Sequence, residues 1–303
     1  MVLGYHALMW IFFSLLSALG QASQLTMGKK LMQKYSSWFV TWTAMAVLAV
    51  IMLIAGVFLY EGLPWSNLQF VVGMFFAIVP YVVALLIIIE STKRCDLSIV
   101  APIVALTPIF LVVIEFFWRG SVPNGYGFIG IGLVVFGGYV LNISKARGGN
   151  WLEPVKSIFR RGSGLLALTG AFLFAFSAAG CKVALDYAEV SSFTIVMYMI
   201  SFLFMSFIYG VALIGGWTKF PKVEVRDLGW LSLNGLFLAI NGVANQIAFS
   251  LATYASYVIA IKRVSGLFGV GLGYLVFKEK GIKERAAGVL IIVAGVVILS
   301  VFG

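Results

Sequence analysis

Ten apolar runs recur along the chain, each too long for the core of a soluble domain. They lie at 5–27, 38–60, 67–89, 97–118, 125–143, 164–186, 192–217, 228–252, 256–277 and 283–302. Each can cross a hydrocarbon layer of roughly 30 Å as a helix. In lipid every backbone N–H and C=O must be satisfied within the chain, which leaves helices as the economical answer for runs of this length. The composition agrees, with 62% hydrophobic and 11% charged residues against about half and about a quarter in soluble domains. The expected fold is an all-α polytopic membrane protein of ten transmembrane helices, multi-pass in the plasma (inner) membrane. The first run, Tyr5 to Met27, lacks a basic start and is long enough to span, so it is taken as span one rather than as a leader.

The longest connection, Lys145 to Gly162, carries Lys145, Arg147, Lys156, Arg160 and Arg161, with Trp151, Leu152, Val155, Ile158 and Phe159 at helical spacing. A short amphipathic helix in the membrane interface and a plain basic loop both fit it. Its two sides look related. Ser98, Pro108, Phe110, Gly130 and Gly137 have counterparts 158 positions later in Ser256, Gly266, Phe268, Gly288 and Gly295. Two repeats of five helices follow. Because five is odd, the second enters the membrane inverted, a transporter architecture with the solute bound where the halves meet. The expected divisions are 1–144 for the first repeat, 145–162 for the linker and 163–303 for the second repeat. The paired glycines serve either internal packing or a dimer contact; internal packing and a monomer are expected over a homodimer.

The net charge of +10 would suggest nucleic acid in a soluble protein. Here the connections after odd-numbered spans hold 17 of the 21 Lys and Arg, which is the signature of membrane orientation. No basic segment of useful length lies outside the loops, so no nucleic-acid partner is expected; the partners are the bilayer and a small-molecule solute. Two cysteines, Cys95 and Cys181, and one histidine, His6, imply no disulfide framework, metal site or cofactor. With no nucleophile–base pairing or phosphate loop either, an enzyme is not expected.

Candidate site residues fall on a few faces. Lys262 and Arg263 lie inside the ninth run, and helical spacing places Lys262, Gly266, Gly269 and Gly273 on one side of it. A charge within a bilayer costs about 2.5–3.5 kcal/mol on insertion scales, so it faces protein or water. Adjacent helical residues point about 100° apart, so the two cations cannot share one route to the surface. Their counterparts in the first repeat, Val104 and Ala105, carry no charge, so the frame itself does not require one. Ser14, Ser17, Gln21 and Gln24 share a face of span one, and Asn234, Asn241 and Asn245 share one of span eight, with Gln246 beside it. Amides in a membrane need partners, so both faces point inward, either as a polar pathway or as interhelical glue. Pro80, Pro102 and Pro108 mark kinks or hinges. Glu115 with Arg119, and Lys182 with Asp186 and Glu189, sit at the end of the bundle where span nine starts, as self-neutralised pairs or as part of the site. The expected solute-binding set is Lys262, Arg263, Asn245, Asn241, Gln21, Gln24 and Lys182, with Pro80, Pro102, Pro108, Gly266 and Gly269 at hinges or cavity walls. Cations of this kind favour an anionic or zwitterionic solute such as an amino acid, an organic acid or a phosphorylated metabolite.

The stretch IKRVSGLFGVGLGYLVFKEKGIKERAAGVLIIVAGVVIL resembles the end of an EamA-type repeat of the drug/metabolite transporter superfamily. Lys262–Arg263, Phe277–Lys278–Glu279, Glu284–Arg285, Gly288 and Gly295 carry the resemblance, and SIVAPIVALTPIF resembles the matching part of the first repeat. The resemblance implies a ten-helix carrier with a cavity lined by spans 1, 3, 4, 6, 8 and 9. Relatives that carry sugar phosphates are similar in having a Lys-Arg pair on helix nine that binds phosphate. Small four-helix relatives couple to protons through a glutamate in helix one, where this chain has Gln21 and Gln24. The expected activity is secondary transport, as an exporter or exchanger; drug export or flipping of a lipid-linked solute is the alternative.

The charge rule places the odd-numbered loops in the cytoplasm and both termini outside, opposite to the orientation the resemblance implies. Tags on both termini decide between the two: removal from intact cells by external protease places the termini outside, and protection places them in the cytoplasm.

Overall fold

The computed structural model describes residues 2–94, 97–143, 162–277 and 282–302. The basic linker, Cys95 and Lys278–Glu279 lie outside them. The described residues form twelve helices: α1 (Val2–Leu31), α2 (Ser37–Leu59), α3 (Leu68–Arg94), α4 (Leu97–Val104), α5 (Thr107–Arg119), α6 (Gly125–Ile143), α7 (Gly162–Leu185), α8 (Val190–Ile214), α9 (Val225–Leu251), α10 (Ala255–Lys262), α11 (Ser265–Phe277) and α12 (Ile282–Phe302). These are the ten expected spans with two of them, the fourth and the ninth, each broken into a pair. Among the described residues, six segments are long and apolar enough to cross a membrane unaided. Span eight falls short because its asparagines lower its hydropathy, and span nine because it is interrupted.

The break in span four follows from its prolines. Pro108 has no N–H, and its ring excludes the carbonyl four residues back, that of Val104. That is where α4 ends. The Thr107 hydroxyl donates to the Val104 carbonyl at 2.6 Å, supplying the bond the proline withholds. Span nine breaks at the matching place, Arg263–Val264, without a proline. Arg263 N donates to Ala260 O and Val264 N to Ile261 O, both at 2.9 Å, so the chain tightens into i→i−3 turns before α11 begins. An unbroken ninth helix, with Lys262, Gly266, Gly269 and Gly273 on one face, is thus corrected. The turn rotates α11 relative to α10, and Gly266 packs against Leu141 of α6. Pro80 leaves α3 unbroken.

Packing follows the symmetry. The main pairings are α3 with α7, α1 with α9, α6 with α12 and α2 with α8. Exchanging the two repeats maps span three on six to span eight on one and returns the other two pairs to themselves. Contacts between helix ends join odd loops to odd and even to even. Lys34, after span one, bonds Asp227 and Glu224, after span seven, at 2.6 and 2.8 Å. Arg119, after span four, bonds Asp186, after span six, at 3.0 Å. Ten antiparallel crossings require this pattern. The hydrogen bonds from Lys34 and Tyr35 hold the Asp227 carboxyl below the usual aspartate range, so this odd-loop tie is complete above that range and lost as pH falls through the depressed value.

Glycine lets the closest pairs touch. A Cβ on Gly137 would lie 2.8 Å from Ile292 N, one on Gly288 2.7 Å from Leu141 N, and one on Gly295 2.9 Å from Val134 N. The glycines of spans five and ten are thus spent on each other, as internal packing requires. Gly180 of α7 sits in the same way on α3, where a Cβ would be 2.6 Å from Ala77 N. Helix association in lipid relies on such close approach, because burial of apolar surface adds little there.

Gly137→Val and Gly180→Val should each cost about 1–3 kcal/mol through overpacking, seen as a lower melting temperature in detergent. Gly210→Ala, where a Cβ meets nothing within 4 Å, should leave stability unchanged or raise it by about 0.5–1 kcal/mol.

Candidate functional site

The polar faces of spans one and eight meet in the interior. Asn234, Asn241, Asn245 and Gln246 are all buried, as are Ser14 and Ser17. The Ser17 hydroxyl donates to Asn241 Oδ1 at 2.9 Å, beside the point where Gly20 of α1 approaches the α9 backbone. That pair is interhelical glue. One turn further along α9, Asn245 Oδ1 accepts a 3.0 Å hydrogen bond from Lys262 Nζ. Lys262 is the last residue of α10 and Arg263 its C-cap, so both cations sit at the interruption. A cation at a helix C-terminus is favoured by the carbonyl dipoles there. Both side chains are half-buried. Arg263 Nε is enclosed without a hydrogen-bond partner, and among the described residues neither cation has a carboxylate within ion-pair distance.

Other expected residues sit elsewhere. Gln21 and Gln24 are half-buried on α1, with no hydrogen bond tying them to Lys262 or Asn245 among the described residues. Gly269 faces open space, with nothing within 4 Å of a built Cβ. Lys182 is buried, but its ammonium donates to the Phe249 carbonyl at 2.9 Å and lies 3.9 Å from Asp186. It belongs to a separate cluster at the even-loop end. The expected local pair of Glu115 and Arg119 is corrected. Glu115 is 1% exposed, and its two oxygens accept from Ala255 N at 2.7 Å and Ser256 N at 3.3 Å, while Arg119 bonds Asp186. The buried carboxylate caps the first turn of α10 from across the repeat boundary.

Two neighbours of the site escaped the sequence reading. The Gln246 amide donates to Met197 Sδ at 3.0 Å and to Cys181 Sγ at 3.6 Å. Tyr81 and Tyr198 place their rings 6.4 Å apart at a steep angle. Neither has a sequence signature, because the partners come from four different spans. Two clefts lie off this centre. One of about 450 Å³ is wholly apolar, between α3, α5 and α7, and one of about 440 Å³ continues it past Arg119 and Asp186.

Hydrogen bonds and burial tie the even-loop end together. Every residue from Ala255 to Ile261 is buried, while none from Ser265 to Gly269 is. Glu61 N bonds Ser192 Oγ at 2.9 Å, and the Tyr254 hydroxyl bonds the Val122 carbonyl at 2.7 Å.

Asn245→Ala removes the Lys262 acceptor and should lower stability by about 1–3 kcal/mol, the penalty of a buried donor left unpaired. Asn245→Asp, which restores an acceptor, should recover most of the loss in a thermal melt.

A family model of EamA-like transporters matches residues 8–143 and again 162–301. No curated protein matches the chain. A solved crystal structure of a protein 12% identical superposes with a TM-score of 0.71 over 95% of each chain, a likeness of fold alone. Matched over both of its halves, this multi-pass membrane protein belongs to the EamA-like transporter family.

Proposed function

We propose that the protein is an alternating-access secondary transporter, an exporter or exchanger of small anionic or zwitterionic metabolites: amino acids, organic acids or phosphorylated metabolites. The observation that supports this most is the pair of cations at the break in span nine, without a carboxylate partner among the described residues. Charges held in protein are costly when unpaired, so a site of this kind favours a solute that brings the missing negative charge. Arg263 presents a fork suited to carboxylate or phosphate oxygens, and Lys262 a point charge steered by Asn245. Asn241, Gln21 and Gln24 contribute polar lining and hold α1 against α9. Lys182 belongs to the closure at the even-loop end rather than to direct contact. The internal use of the glycines of α6 and α12 supports a monomer in the plasma (inner) membrane, divided at the linker 145–162. The repeats rock about the fixed interruption, exposing it first at one end and then at the other.

One observation favours a second reading, drug export or flipping of a lipid-linked solute. The apolar cleft lined by Phe76, Val113, Phe117, Trp118, Phe172 and Phe176 suits an apolar solute arriving from the bilayer.

Purified protein should be stabilised by at least one of L-alanine, succinate and glucose 6-phosphate, and should show saturable counterflow of it in liposomes. Lys262→Ala and Arg263→Ala should each weaken that binding about tenfold or more, a loss of about 1.4 kcal/mol or greater. Intact affinity and counterflow in both variants would overturn the assignment, and flux of a fluorescent lipid analogue instead would favour the second reading.

A further inference from the structure

Glu115 is the one carboxylate buried to this degree among the described residues, and solute binding makes no use of it. It stands at the interface the transport cycle has to part. Its Oε1 and Oε2 take the N–H groups of Ala255 and Ser256, and the N-cap residue Tyr254 supplies no side-chain acceptor of its own. The first N–H groups of a helix lack intrahelical partners, and a negative charge at that end interacts favourably with the helix dipole. The cap from α5 thus joins the packing of the buried residues of α10 in setting where its first turn lies.

The contact is one-sided. The counterpart of Glu115 in the second repeat is Gly273, and the counterparts of Ala255 and Ser256 are Leu97 and Ser98. A symmetric frame thus carries an acid at the even-loop end and none at the equivalent position of the odd-loop end. Neighbouring charges are otherwise engaged. Arg119, one turn on, bonds Asp186, and Lys182 of α7 bonds the Phe249 carbonyl. Tyr254 and Tyr257 complete the titratable groups that face Glu115 from the α10 side.

We infer that Glu115 is a proton-binding site at the even-loop end, where a proton and the start of α10 compete for the same carboxylate. Opening that end draws α10 away from α5 and brings the carboxylate to water. A proton from that side then adds to one carboxylate oxygen, cancelling the charge that held the two N–H groups. Closure expels the proton as Ala255 N and Ser256 N return. Each opening takes up one proton and each closing releases one. The inference rests on the transport reading for its purpose, though the site itself is testable without a solute.

The test is hydrogen exchange of the segment 252–262 in the full chain in nanodiscs, compared at about pH 5.5 and about pH 8 after correction for intrinsic rates. Wild-type protection should fall about tenfold at the lower pH, as the latch opens more often. Glu115→Gln should be poorly protected and flat with pH, while Asp186→Asn should keep the response. Equal wild-type protection at both pH values overturns the inference, as does a Glu115→Gln profile that tracks wild type. Should Glu115→Gln fail to fold, the Asp186→Asn arm decides: survival of the response supports Glu115, and its loss moves the site to Asp186. Counterflow of L-alanine, succinate or glucose 6-phosphate is measured on the same preparation. A pH-dependent latch without counterflow removes the transport reading and keeps the proton site. Counterflow with a pH-flat latch does the reverse.

Discussion

A helix interrupted inside a bilayer carries backbone groups that lipid cannot satisfy, and the interruption at Arg263–Val264 adds two cations to them. Much of the surrounding structure answers that problem. Short i→i−3 turns close the backbone. Asn245 accepts from one ammonium, and α1 and α9 hold that amide in place through Ser17 and Asn241. At the far end of the same short helix a buried carboxylate caps the first turn. Non-helical backbone at this depth is tolerated only where protein or a wet cavity surrounds it.

The frame around the break is close to symmetric, and the chemistry is not. Span four breaks at the equivalent position with Val104 and Ala105 where span nine has Lys262 and Arg263, and with Thr107 and Pro108 closing the turn. The break in span nine carries two cations and that in span four carries none, and Glu115 of the first repeat has Gly273 as its counterpart in the second. Glycines at α6–α12 and α3–α7 bring backbones together, so these interfaces are close backbone contacts rather than soft side-chain layers.

Much of this was legible in the residues. Apolar runs located the spans and amide spacing on span eight located the inward face, while prolines marked spans three and four alike for a kink or hinge and only span four breaks. The break in span nine was not legible, because Gly266 stands where Pro108 does and glycine permits a turn without forcing one. Helical periodicity assumes an unbroken helix, so the face drawn through Lys262 and the following glycines failed at the first turn. Glu115 was matched to Arg119 because spacing within one helix sees only that helix. Its actual partners are 140 and 141 positions away, joined by a fold in which repeats cross. Threading places Lys182 at the end where span nine starts, and only side-chain geometry shows its bond to the Phe249 carbonyl.

The most direct measurement is an experimental structure of the protein in lipid nanodiscs with saturating glucose 6-phosphate, succinate or L-alanine. The account predicts solute oxygens within about 3 Å of Lys262 Nζ or the Arg263 guanidinium, at the gap between α10 and α11. Both cations turned out to the headgroups, with apolar side chains filling the gap and the solute bound elsewhere, would contradict it.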